Sequence, residues 1–353
     1  HANFGWGGGM EHQTITSLGG HSEWLIAHEL GHSWWGNKIT CANFGHIWLN
    51  EGFARFSEAL WEEERYGYDR YKEYWSDHTY YGAGTIFVEN PNNISSIFNT
   101  GLSYNKAGWV VHMLRGVLGD SLFFNVLRSY SSNDSLAYSS ATTQDFQNIC
   151  ESHSGMDLDF FFSQWIYGEG YPRYSISWNR NEMNELIVNI QQIQSGQYFF
   201  MPIDIQVILS EDTLNYVVEN DGQYTSYNLG YIGPNSFNIR LDPDNWILKE
   251  VEYLTIGSEL PGPRQLKLFP PYPNPFNSGT NISFFIPDYM GQDEVKINIF
   301  DLRGRLVSSI WSGRPLIGHN MFNWNAENKP SGVYIIELAT QDKKLIQKLQ
   351  LIK

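Results

Sequence analysis

The stretch His28-Glu29-Leu30-Gly31-His32 places two imidazoles four residues apart with a carboxylate between them. On a helix, residues i and i+4 share one face, so the two rings can hold one metal ion with a nitrogen each. Glu29, turned about 100° from His28 around the axis, faces the same cleft as a free carboxylate. A zinc ion that hydrolyses bonds needs three protein ligands and one open position for water. The pattern alone fixes only its histidines and glutamate, so the third ligand must come from elsewhere. "WLNEGFARF" supplies Glu51, with 18 residues between it and His32. That length lets the first helix end, a turn form and a second helix return antiparallel. Glu58, seven residues beyond Glu51 on the same helix face, is placed either to orient a ligand histidine from behind or to sit in solvent as an ordinary helix charge.

Two helices must carry these residues. Ser22 can cap the first, which is expected to close near Gly36-Asn37, and the second is expected over Trp48 to Tyr66, stopping at Gly67. "AGWVVHMLRGVLG" and "DLDFFFSQWIYGEG" read as further helices, so residues 22 to about 167 are mainly helical. Trp34 and Trp35 are expected to pack in the core beside the metal helix. After "GYPRY" the period changes from 3.6 to 2, as in "LIVNIQQI" and "IDIQVIL". The expected organisation is a catalytic domain over 1–170, a β-sandwich over 171–256, a linker over 257–267 that includes the Pro- and Gly-rich "GSELPGPRQ", and a second β-sandwich over 268–353.

Composition narrows the function classes. The 353 residues suit two or three domains, and the longest apolar runs are strand-sized. No transmembrane segment is expected. A net charge of −15 repels phosphate backbones, so no nucleic acid partner is expected. Cys41 and Cys150 read as two structural thiols in preference to a bridge. His12, His21, His46, His78, His112, His153 and His319 lack paired spacing and read as ordinary surface or core residues. The sequence begins at His1 with no initiator Met and no charged stretch followed by an apolar one, so any signal peptide is expected to have been cut off or left out and the chain reads as a fragment.

Four motifs, "GGMEH", "HELGHSWWGN", "WLNEGFA" and "SYNKAG", occur in the order and spacing of the aminopeptidase N-like zinc metallopeptidases, the gluzincin aminopeptidases that include leukotriene A4 hydrolase. The resemblance covers about Asn3 to Glu252. It implies a thermolysin-like, mainly α catalytic domain followed by all-β sandwich domains, with one Zn2+ held by His28, His32 and Glu51. It further implies Glu29 as general base, Tyr104 as hydrogen-bond donor to the oxyanion, and Glu11 as anchor for the α-amine of the substrate, with backbone groups of Gly8 and Gly9 lining the extended peptide. The substrates implied are peptides with a free N-terminus. His12 departs from the family, which usually has Asn after this glutamate. The sequence is expected to lack the N-terminal β domain of the family and its C-terminal helical domain.

The tail, with "FPPYPNPFNSGTNISFFIP", "INIFDLRGRLV" and "GVYIIEL", resembles the C-terminal sorting domain of type IX secretion cargo over about 268–353. This implies the type IX machinery as a partner, and secretion from, or display on, a Gram-negative cell. Two rivals stay open: an endopeptidase of thermolysin type, whose third glutamate lies at nearly the same distance, and an inactive surface binding protein on a peptidase scaffold. Glu11 and the "SYNKAG" context argue against the first, and the complete set His28, Glu29, His32, Glu51 and Tyr104 against the second.

Overall fold

The computed structural model describes residues 1–353 apart from 6, 182, 211, 221, 234–236, 255–265, 272–273, 288–289, 291–293, 315–317 and 353. Most of the expected linker over 257–267 therefore lies outside the described residues. The chain divides into two compact units, one of 1–175, 191–223 and 232–252, the other of 176–190, 224–231 and 253–353.

Unit 1 opens with three two-residue strands, β1 (Ala2–Asn3), β2 (Gly9–Met10) and β3 (Ser17–Leu18), in the order β1-β3-β2. Helices follow: α1 (Glu23–Gly31), α2 (Trp48–Tyr66), α3 (Tyr68–Asp77), α4 (Ile94–Ile97), α5 (Ala107–Leu118), α6 (Asp120–Ser131), α7 (Thr143–Ser154) and α8 (Asp159–Trp165). Between them β4 (Ile39–Cys41) and β5 (Ser139–Ala141) pair in parallel, a contact that no local pattern signals. The aromatic core, with Trp48, Phe53, Trp75, Trp109, Phe146 and Trp165 all nearly fully buried, explains why these short helices hold together.

Three expectations about the helices meet different fates. The second helix runs over Trp48–Tyr66 and stops at Gly67, whose φ of 92° only glycine adopts without strain. The first ends at Gly31, not near Gly36-Asn37: after it the chain tightens into turns, with the Ser33, Trp34 and Trp35 amides bonded to Leu30 and Gly31 carbonyls. Ser22 holds the N-cap position with extended backbone, but its side chain makes no capping bond. Trp34 is 47% exposed instead of core, because the early helix end swings it outward; Trp35 turns inward and stacks on Tyr130.

Close packing around α2 fixes the site. A Cβ at Gly31 would strike Ser57, and one at Gly52, next to Glu51, would strike Ala107 at the start of α5. Glycine at both points lets α1 and α5 approach α2 at backbone range. Unit 1 also contains an antiparallel sheet of β8 (Met201–Ile208), β9 (Thr213–Asn220) and β11 (Asn238–Leu241), in the order β11-β8-β9. Side chains along β8 alternate between buried and half-buried, the period-2 signature of a sheet with one face on a core.

Most of β6 (Arg173–Arg180) and β7 (Glu185–Gln192) and all of β10 (Tyr224–Tyr231) belong to unit 2, in the order β10-β7-β6. Beyond the short β12 (Glu250–Tyr253) come β13 (Lys267–Leu268), β14 (Gly279–Ile286), β15 (Val295–Asp301), β16 (Leu306–Gly313), β17 (Gly318–Asn325), β18 (Gly332–Ala339) and β19 (Lys344–Leu351). They form two sheets, β13-β14-β17 and β16-β15-β18-β19, around one core. Ile282 and Phe284 of the first sheet meet Ile297, Ile336 and Leu349 of the second there. Both cysteines are free, Cys150 buried and Cys41 half-buried. Among the described residues no helix is long and apolar enough to cross a membrane.

Candidate metal centre and cleft

α1 and the turn after it present His28 and His32, and the first turn of α2 presents Glu51. All three are buried. The Nε2 atoms of His28 and His32 lie 3.2 Å apart, and Glu51 Oε2 lies 3.3 Å from the first and 3.4 Å from the second. A tetrahedral ion with ligands at about 2.0–2.2 Å has edges of about 3.3–3.6 Å, so this triangle fits one zinc. The donor set of two imidazoles and one carboxylate is of the kind that keeps a fourth position open.

The other ring nitrogens fix the tautomers. His32 Nδ1 lies 2.9 Å from the Trp35 carbonyl, which can only accept, so His32 Nδ1 carries the proton and Nε2 keeps its lone pair. His28 Nδ1 donates to Glu58 Oε1 at 2.7 Å. The other oxygen of Glu58 accepts from Arg55 at 3.0 Å and from the Tyr74 hydroxyl at 2.8 Å. Glu58 is 1% exposed, so it lies behind the His28 ring and not in solvent. Arg55, three residues before Glu58, was visible in the sequence as a helical pair; Tyr74 comes from α3 and left no signal there.

Electrostatics separate two of the carboxylates, Glu51 and Glu29. Burial disfavours charge on Glu51, yet the His28 and His32 rings beside it hold its pKa down at about 2. Burial likewise opposes charge on His28, but hydrogen bonds to Glu51 and Glu58 raise it to about 9. For Glu29, burial dominates and lifts the carboxyl to about 7, against the pull of His28 and His32. Its Oε2 is buried without a hydrogen-bond partner, and a Cβ at Gly9 would collide with its carboxylate. Glu29 is thus held under β2 with an oxygen free for a proton.

Glu11 is half-buried, and a carboxylate oxygen of it lies within 4.8 Å of ligand atoms of Glu29 and His32. Asn37 fixes that segment by donating to the Glu11 carbonyl at 2.6 Å. β2 is the edge of its sheet: Gly9 pairs with Leu18 and the Gly8 carbonyl accepts from Gly19, all on one side. Tyr104 sits in a π-helical turn, Thr100–Lys106, with its ring stacked on His28 at a centroid distance of 6.0 Å. Burial, then the charge of Glu51, pushes its phenol well above the usual range, so it stays protonated and remains a donor. These groups, with Met10, Phe44 and Phe98, line a cleft of about 640 Å³.

The structure thus brings together His28, Glu29, His32, Glu51, Glu58, Gly8, Gly9, Glu11 and Tyr104 in one cleft. The unpaired histidines stand apart. His112 is fully buried between Tyr71 and Asn245, His46 bonds Thr143, His78 bonds the Tyr74 carbonyl and His153 the Ile149 carbonyl. His12 and His21 are exposed, and the side chain of His319 lies outside the described residues. A second acidic group, Glu151, Asp157 and Asp159, is cross-linked by the Gln147 amide and closes the corner between α7 and α8.

Residues 13–165 match the Peptidase family M1 domain, and residues 271–353 match the Secretion system C-terminal sorting domain. Aminopeptidase M1-D of Oryza sativa subsp. japonica is 31% identical over 163 residues, which is 42% of this chain and 18% of that protein. Aminopeptidase N of Lactococcus lactis subsp. lactis is 29% identical over 163 residues, 42% of this chain and 19% of that protein. Probable aminopeptidase 2 of Sulfurisphaera tokodaii is 24% identical over 305 residues, 81% of this chain and 38% of that protein. The chain therefore spans well under half the length of these relatives. Among solved structures, Legionella pneumophila aminopeptidase A in complex with aspartic acid superposes with a TM-score of 0.59 at 18% identity, over 66% of this chain and 27% of that one. That likeness is one of fold: a helical domain with several β-sheets.

Proposed function

We propose, from the premise that residues 13–165 are a peptidase family M1 domain and 271–353 a secretion sorting domain, that this chain is the catalytic part of a secreted zinc aminopeptidase. The observation that carries the reading is the 3.2–3.4 Å triangle of ligand atoms with the unpartnered Glu29 carboxylate beside it. His28, His32 and Glu51 would hold one zinc ion. Bound there, zinc acts as a Lewis acid on the scissile carbonyl and makes water more acidic.

The remaining work falls to side chains of this cleft. Glu29 takes the proton of the attacking water, a task its raised pKa suits, and returns it to the leaving amine. Tyr104, held protonated, donates to the carbonyl oxygen as negative charge builds there, a contact whose loss typically costs ~10²–10³ in rate. Glu11 accepts the α-ammonium of the substrate, and the free edge of β2 at Gly8 and Gly9 offers backbone groups to an extended peptide. A carboxylate fixed this close to the atoms that would hold the metal would stop cleavage one residue in. The sorting domain would address the protein, through the type IX machinery, to the outside of a Gram-negative cell.

The test is hydrolysis of one peptide in free and N-acetylated form, with zinc content measured alongside. Preference for the free amine, lost in Glu11→Gln with zinc retained, is expected. Equal cleavage of both forms would replace the reading with an endopeptidase of thermolysin type, and absence of both zinc and turnover would leave an inactive binding protein.

A further inference from the structure

Lys106 has no part in the chemistry above, yet it is 1% exposed and two residues from Tyr104. Its ammonium donates to the Gly84 carbonyl at 3.3 Å. The other side of the same residue is held too, since the Gly84 amide donates to Glu169 Oε2 at 3.2 Å. Lys106 and Glu169 therefore clasp one residue between them, and Glu169 is the anion that favours the lysine's charge. The clasped residue has a φ of 103°, open to glycine, and a Cβ on it would come within 2.8 Å of Leu102 in the turn that carries Tyr104. Nearby, the Tyr80 ring is wedged between Gly82 and Gly101, so that a Cβ on either glycine would collide with it. The 80–84 segment and the Thr100–Lys106 turn are thus packed against each other through Tyr80, Leu102 and Lys106.

Burying an ammonium with so few acceptors is costly, and an apolar chain of the same length would fill the space more cheaply. A π-helical turn is also a less stable way to enter a helix than a plain α turn. Something in the surroundings must hold it. We propose that Lys106 is a positioning residue for the reaction: clasped with Glu169 on Gly84, it locks the π-helical turn so that the Tyr104 hydroxyl stays aimed into the cleft. This rests on the reading of Tyr104 as the oxyanion donor.

The experiment is a double-mutant cycle on the full chain, with kcat, KM, zinc content and melting temperature measured on a free-N-terminus peptide. Lys106→Met is expected to lower kcat about tenfold or more, since displacements near 1 Å in a reacting geometry can cost about 10²-fold, while KM and zinc content hold. In the Tyr104→Phe background the same substitution is expected to change kcat less than about twofold, because the group it aims is gone. Glu169→Ala, at an exposed residue, covers the case in which Lys106→Met fails to fold: a smaller kcat loss, again silent in Tyr104→Phe, is expected. Losses that multiply across the two positions, or a fall in zinc content or a rise in KM that accounts for the effect, would overturn the proposal while leaving Tyr104 in its role. A Tyr104→Phe variant with undiminished kcat would instead overturn the reading of Tyr104, and this proposal with it.

Discussion

His28 Nδ1 donates to Glu58 Oε1 at 2.7 Å, and both side chains are buried. This bond turns the His28 ring so that Nδ1 faces Glu58 and Nε2 faces His32 and Glu51, and Arg55 and Tyr74 hold the Glu58 carboxyl in place from behind. Replacing Glu58 by Gln removes the charge and lets the amide present its NH2 to the ring. Zinc affinity is expected to fall about 10–100-fold, with Glu29 chemistry otherwise intact. Competition against a chelator measures this, and unchanged affinity would show that Glu58 only fills space.

Glu29→Gln keeps the shape of the cleft and, on the proposed mechanism, loses the base. Turnover is expected to drop about 10²–10⁴-fold with zinc content unchanged. Gly9→Ala tests the same group from the other side, since the added methyl meets the Glu29 carboxylate. It is expected to cut turnover without releasing zinc. Full activity in Gly9→Ala would mean that Glu29 is free to move away from β2.

Zinc held as proposed would have to displace a proton from His28, whose pKa is raised to about 9. Affinity is therefore expected to rise about tenfold per pH unit toward pH 9. The sign for the metal-free protein is the opposite. A folded pKa above the unfolded 6.5 gives stability that is fully present below pH 6.5 and lost as pH rises through 9. Calorimetric titration with zinc at several pH values reads the first effect; a flat affinity between pH 7 and pH 9 would show that no such proton is there.

His112 gives the acid side. Its Nδ1 accepts from the Tyr71 hydroxyl at 2.7 Å and its Nε2 donates to the Asn245 carbonyl at 2.9 Å, so the buried ring is neutral. Burial pushes its pKa down to about 3, below the ordinary 6.5. Stability from this group is present above pH 6.5 and is lost as pH falls through 3, at roughly 1.4 kcal/mol for each unit of difference. Urea unfolding across that window should show a steeper pH dependence for the native protein than for His112→Gln. Identical slopes would place the acid sensitivity elsewhere.

Much of this was legible in the residues themselves. The i, i+4 histidines, the interval to Glu51 and the helix from Trp48 to Gly67 follow from helical geometry, which is local and periodic. The end of the first helix is not legible in this way, because the turns after Gly31 are held by His32 bonding the Trp35 carbonyl and by backbone bonds that no propensity encodes. The exposure of Trp34 is hidden for the same reason: it depends on where that helix stops.

The sequence by itself determined the chemistry on offer: two imidazoles and a glutamate on one helix, a second carboxylate on the next, and a change of period that separates helical from β structure. Only the tertiary structure decided how those groups behave. Tyr74 reaches Glu58 from α3, Gly9 closes over Glu29 from β2, and Gly84 links Lys106 to Glu169. The physical reason is that hydrogen bonds and burial depend on distance in space. Several of the residues that set them, such as Glu58 for His28 and Glu169 for Gly84, lie tens of positions away along the chain.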